Sequence, residues 1–148
     1  MIVAITGHRE EKLKIDKAEA KEILRERLVQ MDAHKVIVGM ANGIDLYAAE
    51  VAEELGLDLV CARPWAGHTP RVADKEAYER ALAYASLVVN VDPSEEYAGP
   101  WVYQKRNEWM VNHANSTLAI WNGSPGGTAN CVKYAEKLGR PMLIVNPE

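Results

Sequence analysis

The chain contains no phenylalanine, only two cysteines, and no apolar stretch approaching the length needed to span a bilayer. Each shortage excludes a class of protein. Cys61 and Cys131 lie far apart, with no C-x-x-C pair and no histidine at ligand spacing, so neither a disulfide framework nor a metal site is expected. Both thiols read as reduced and partly buried, the usage of a reducing cytoplasm. With no spanning-length run, and with the strand-like Ile2–Thr6 where a basic leader would stand, a cytoplasmic protein without a membrane partner is expected. Positive charge is also short: the net charge is −4 and the sequence pI near 5.6, which makes nucleic acid an unfavoured partner while leaving room for a small basic pocket.

What is present suits one globular domain over residues 1–148. Four tryptophans and six tyrosines replace the missing phenylalanine, and hydrophobic residues make up 48% of the chain. A domain of this size buries about 68–70% of its unfolded surface, enough to need no covalent staple.

Short apolar runs alternate with longer segments of helical period, the pattern of β-α units feeding a parallel sheet. The runs are Ile2–Thr6, Lys35–Val38, Leu57–Ala62, Ser86–Val91, Ser116–Trp121 and Met142–Val145, so an α/β fold with about six strands and helices on both faces is expected. Between the first two, Ala20, Ile23, Leu24, Leu28 and Met31 recur at three- and four-residue steps. The segment Ile44–Leu55 is apolar almost all round, which calls for cover from neighbouring elements or a partner subunit. Pro70–Tyr84 reads as a helix with Thr69 as N-cap, followed by helices over Pro100–Ala114 and Thr128–Leu138. Residues 92–99 read as a mobile loop.

In an open parallel sheet, ligands gather at the carboxyl ends of the strands, where loops meet helix N-termini. Three loops there carry chemistry. The first, Thr6-Gly7-His8-Arg9, offers close backbone approach at Gly7 and donors from His8 and Arg9, with His8 alternatively a hydrogen-bonded support. The second, Gly39-Met40-Ala41-Asn42-Gly43-Ile44-Asp45, combines small residues with a following helix dipole; Asp45 is either a ribose contact or a first-turn carboxylate. The third, Asn122-Gly123-Ser124-Pro125-Gly126-Gly127-Thr128, sets flexible backbone and a hydroxyl at a helix start suited to phosphate, but lacks the lysine of a Walker A loop.

The loop Gly39–Asp45 with Ala48-Ala49-Glu50 resembles the glycine-rich loop of DprA-type proteins. The block from Tyr103-Gln104-Lys105-Arg106-Asn107 to Gly126-Gly127-Thr128 resembles the signature of the LOG nucleotide phosphoribohydrolases. The opening Thr6-Gly7-His8-Arg9 is similar to the YpsA-like branch of the same SLOG superfamily. The joint order implies a Rossmann-like fold, usually oligomeric, that binds nucleotides or nucleotide-derived molecules, with Arg106 matching an arginine of the LOG pattern. The glutamate that LOG enzymes use on the N-glycosidic bond falls at Cys131, preceded here by Asn130.

The expected ligand site is therefore Gly7, His8, Arg9, Gly39, Met40, Ala41, Gly43, Asp45, Arg106, Asn107, Asn122, Gly123, Gly126, Gly127 and Thr128. Arg9 and Arg106 would meet phosphate, and Asn107 either the ligand or the neighbouring loop. No cofactor or metal is expected, and no catalytic residue is assigned. If the chain is an enzyme, the resemblance implies a nucleotide N-glycosidase with Glu50, Asp92 or Glu95 as a displaced acid. A single-stranded nucleic-acid module is the other alternative, disfavoured by the acidic balance. Tryptophans at these spacings more often fill core or subunit contacts than stack on a base, and for stacking Trp121 stands best placed, ahead of Trp65, Trp101 and Trp109; His34, His68 and His113 read as surface or structural. The apolar helix and the segment Trp101–Val111 suggest a homodimer or larger homo-oligomer.

Overall fold

The computed structural model describes all residues from 1 to 148. Strands β1 (Ile2–Gly7), β2 (Lys35–Val38), β3 (Asp58–Trp65), β4 (Leu87–Asp92), β5 (Ser116–Ile120) and β6 (Met142–Val145) alternate with helices α1 (Lys17–Gln30), α2 (Ile44–Glu54), α3 (Lys75–Tyr84), α4 (Trp101–Asn112) and α5 (Gly127–Lys137). Every strand pair is parallel, in the order β4-β3-β2-β1-β5-β6. The fold is thus an open, six-stranded Rossmann-like sheet. The chain winds outward from β1 to β4, then crosses back to lay β5 against the free side of β1, and that reversal opens a crevice between the carboxyl ends of β1 and β5.

Alternation along the strands sends side chains to two layers. Val3, Ile5, Val36, Val38, Leu59, Cys61, Leu118 and Ile120 join residues of α1, α2 and α3 in the main core. Ala4, Ile37, Val60 and Ala62 face the other way, onto Met110 and Ala114 at the end of α4. Val111 of α4 packs on Cys131 and Ala135 of α5. Helices therefore cover both faces. The segment Ile44–Leu55 is buried by α1, α3 and the strands of its own chain, so it needs no partner subunit as cover.

Asp16 caps α1 by accepting from the Glu19 amide at 2.8 Å. The third helix departs from expectation: it begins at Lys75, behind a 3₁₀ turn over Val72–Asp74, and Thr69 is not its cap. Arg71 holds an extended backbone (ψ 155°) that cannot continue a helix from Pro70. Its side chain bridges Asp74 at 2.6 Å and Glu10 at 2.9 Å, which favours the tighter turn. Residues after β4 lie against the turn after β3, with the Ala66 amide donating to the carbonyls of Asp92 and Ser94. No helix is long and apolar enough to cross a membrane.

Candidate functional site

The loops after β2, β1 and β5 are brought together because those three strands are neighbours. The first is locked to both others. The His8 amide donates to Ile120 O at 3.3 Å, its Nε2 accepts from the Asn122 amide at 3.1 Å, and its carbonyl accepts from the Ile44 amide at 3.2 Å. The ring is buried, so His8 acts as the support that its residue type allowed for. Asn42 Oδ1 accepts from the Glu10 amide at 2.9 Å, tying the second loop to the first.

Two glycines exist for this lock. A Cβ on Gly7 would lie 2.6 Å from the Ile44 side chain, and one on Gly43, whose φ is +82°, would lie 2.6 Å from Glu10 N and His8 O. Gly39 serves a third contact: its missing Cβ leaves room for the Arg106 guanidinium, which donates to Gly39 O at 2.8 Å.

Arg106 and Asp45 are both buried and feel each other's charge, with no direct ion pair between them. Asp45 Oδ2 accepts from the Ala41 amide at 3.1 Å, bracing the second loop. Burial pushes its carboxyl up to about 6, against the opposing pull of Arg106. Burial likewise lowers Arg106, while Asp45 holds it up. The Nε of Arg106 is buried without a partner.

The third loop is rigidified by its own polar groups. Trp121 Nε1 donates to Ser124 O at 2.8 Å, and Asn122 Oδ1 accepts from the Ser124 amide at 3.0 Å. Asn107 Nδ2 donates to Gly127 O at 3.3 Å, fastening α4 to the start of α5. Gly126 is the N-cap of α5, with φ 140° and no side-chain cap, so the positive end of that helix is left to whatever occupies the crevice.

A polar cavity of about 450 Å³ fills the β1/β5 crevice. Its walls bring together Gly7, His8, Arg9, Ala41, Asp45, Arg106, Asn107, Gly126, Gly127 and Thr128 from the expected site. Gly39, Gly43, Asn122 and Gly123 are not on those walls, and Met40 lines a neighbouring cavity instead. Lys12, Glu11, Tyr103, Ser124 and Asn130 also line the crevice, beyond the residues expected there from the sequence. Tyr103 was legible in principle, since Tyr103, Arg106, Asn107 and Met110 share one face of a helix at three- and four-residue spacing. Lys12 was not, because a 3₁₀ turn over Glu10–Lys12 delivers it.

The nominated acids lie elsewhere. Glu50 pairs with Lys17 at 2.8 Å, Asp92 accepts from the Ser94 amide at 3.3 Å, and the Glu95 backbone packs on Gly67; none lines either cavity. Cys131 is buried and burial pushes its thiol to about 11. Trp121 is occupied as a brace, Trp109 stacks on His113 at 4.0 Å, and Trp101 is half exposed beside Lys105. No three His, Cys, Asp or Glu side chains converge as a metal set would.

A family model described as DNA recombination-mediator protein A matches residues 1–148. Among curated proteins, the chain is 34% identical over 82 residues to an uncharacterized SPbeta prophage-derived protein YoqJ of Bacillus subtilis strain 168, covering 48% of each. It is 27% identical over 138 residues to a UPF0398 protein of Staphylococcus aureus, covering 81% of this chain and 72% of that one. Of solved structures, DNA processing protein A from Streptococcus pneumoniae superposes with a TM-score of 0.78 at 18% identity, over 99% of this chain and 50% of that chain. DNA processing protein A from Helicobacter pylori, described for its single-stranded DNA binding mode, gives 0.76 at 17% identity over 100% of this chain and 66% of that one. The molybdenum cofactor carrier protein of Chlamydomonas reinhardtii gives 0.65 at 16%, over 99% and 77%. At these identities the structural likeness is one of fold. The chain spans about half the length of the B. subtilis relative and of the S. pneumoniae protein.

Proposed function

The chain belongs to the DNA recombination-mediator protein A family, and on that footing we propose that it binds a nucleotide or nucleotide-derived small molecule, phosphate inward, in the crevice between β1 and β5. The family agrees with the resemblance of its three loops to the SLOG superfamily. The observation that carries the reading is the uncapped N-terminus of α5 at Gly126 facing the same cavity as Arg9, Lys12 and Arg106. An anion there meets free amides, a helix dipole and cationic side chains at once.

Binding rather than hydrolysis is the function proposed. The only carboxyl groups lining the cavity are Asp45, already engaged as a brace, and Glu11. Isothermal titration of the chain with the four ribonucleoside 5′-monophosphates tests the reading, the expected result being saturable binding that weakens in Arg9→Ala. Absence of binding to all four sinks it.

A second reading, single-stranded DNA as the ligand, is favoured by one observation: the family match together with the H. pylori protein described as binding it. Anisotropy of a labelled oligothymidylate separates the two. Tight binding that a nucleoside monophosphate fails to displace selects DNA.

A further inference from the structure

A second cavity of about 190 Å³ opens beside the first, beneath the turn that follows β3. The two share Arg9, Ala41, Tyr103 and Arg106, so they are compartments of one cleft with a common cationic wall. Both are largely polar, and the second, which also takes in Arg71 and Asp74, adds the rings of Trp65 and His68 beside that of Tyr103.

The rings form a preassembled cluster. The Trp65 centroid lies 5.0 Å from that of His68 and 6.0 Å from that of Tyr103, each at an interplanar angle of 86°. Arg63 fixes the turn by donating to His68 O at 2.7 Å and to the Tyr78 hydroxyl at 3.1 Å, and His68 Nδ1 lies 2.9 Å from that hydroxyl. Burial, helped by Arg106, Arg63 and Arg9, holds the His68 imidazole down to about 4, so at neutral pH it presents an uncharged ring. Trp65, His68 and Tyr103 are half-buried, and all three line this cavity. On the adjoining wall Met40 holds a φ of +69°, a left-handed conformation rare outside glycine that persists where the surroundings impose it and clusters at ligand clamps.

Resting on the reading of the first compartment as the phosphate site, we propose that the second compartment is a ring subsite, in which Trp65 and Tyr103 take the planar heterocycle of the same ligand. Phosphate would sit at the α5 N-terminus and the heterocycle past Arg9, with the sugar between. The glycine loops recognise only the phosphate common to many metabolites, and the ring subsite makes the cleft select a nucleotide over a bare sugar phosphate. Aromatic faces accept any base without hydrogen-bond readout, so the preference among bases is weak while that for a base is strong.

Calorimetry on the full chain tests this with ribose 5-phosphate, which carries no base, and with AMP, GMP, CMP and UMP. The native chain is expected to bind at least one nucleotide roughly tenfold or more tighter than ribose 5-phosphate. Trp65→Leu is expected to lower nucleotide affinity to that of ribose 5-phosphate while leaving ribose 5-phosphate unaffected, and Trp65→Phe to retain most of the difference. Should Trp65→Leu fold poorly by circular dichroism, Tyr103→Leu at its edge-to-face neighbour and nucleotide quenching of tryptophan fluorescence, expected to shrink in Trp65→Phe, decide the matter. Nucleotide binding unchanged in both leucine variants, quenching unchanged in Trp65→Phe, or a native chain that binds ribose 5-phosphate as tightly as the nucleotides, overturns the ring subsite and leaves the phosphate site standing. A native chain that binds neither kind of probe overturns the phosphate site, and the ring subsite falls with it.

Discussion

Arg106 on α4 donates to the carbonyl oxygen of Gly39 at the end of β2, 2.8 Å away and 67 positions apart in the chain. Both residues carry ligand-site signals in the sequence, yet they meet each other. The glycine is small because the guanidinium lies where its Cβ would be, with Nε 2.8 Å from that point. The same arginine offsets the buried charge of Asp45, so one side chain couples α4 to the turn that opens α2.

Arg106→Ala is expected to destabilise the fold by about 1–3 kcal/mol, because it leaves the buried Gly39 carbonyl without its donor and takes the nearby cation from Asp45. Gly39→Ala should cost about 1–3 kcal/mol by displacing the guanidinium. Urea unfolding measures both. If Arg106→Ala loses ligand affinity while its unfolding midpoint stays put, the arginine is a ligand contact and no brace.

Arg9 and Lys12 are exposed on the cavity rim, so their loss should spare the fold. Arg9→Ala and Lys12→Ala are each expected to change stability by less than about 0.5 kcal/mol. Each should weaken nucleotide binding by about 1–3 kcal/mol, the range of a charge-assisted contact, and added salt should shrink the effect. Titrations at two ionic strengths check this.

The glycines should divide by mechanism. Gly43→Ala places a methyl 2.6 Å from His8 O at a left-handed backbone position, with an expected cost of about 1–3 kcal/mol and a loosened first loop. Nothing lies within 4 Å of a Cβ added at Gly127, so Gly127→Ala should be neutral or stabilising by up to about 1 kcal/mol. Thermal melts of the two variants side by side would show the contrast, and equal losses would refute it.

Both thiols should resist modification in the native state. Burial pushes Cys61 to about 12 and Cys131 to about 11, and neither side chain reaches solvent. Ellman's reagent is expected to react with neither at pH 8 until denaturant is added. Prompt release of one equivalent would contradict either the burial of Cys61 in the main core or that of Cys131 between α4 and α5.

His68 and Asp45 give opposed acid responses. The imidazole is held at about 4, below its ordinary 6.5, so the unfolded chain takes up a proton first and stability falls as pH drops through that interval. The Asp45 carboxyl is held at about 6, above its ordinary 3.8; here the folded chain takes the proton first, and the contribution, complete below 3.8, is lost as pH rises through 6. Melting temperatures from pH 4 to 7 should therefore fall less on acidification in His68→Gln, and more steeply in Asp45→Asn, than in the native chain.

The order of the elements was legible because alternation and helical period are local signals: β2 and β6 have the bounds their apolar runs predict. The start of α3 was not, since the pairing of Arg71 with Glu10, 61 positions away, favours an extended residue where Pro70 suggested a helix. Residue chemistry likewise marked the three loops and their glycines without saying what each glycine is for. Gly7, Gly39 and Gly43 look like sites of ligand approach in the sequence, and each also receives another part of the chain, Gly7 while lining the cavity. Trp121 looked the best ring by position and became a brace, while Trp65 reached a cavity through packing across β3 and α4. The sequence by itself determined which segments are strands and helices and where the backbone can bend. Only the tertiary structure, by setting β1 between β2 and β5, decided which groups share one cavity, because that depends on distances between residues whose separation along the chain carries no such information.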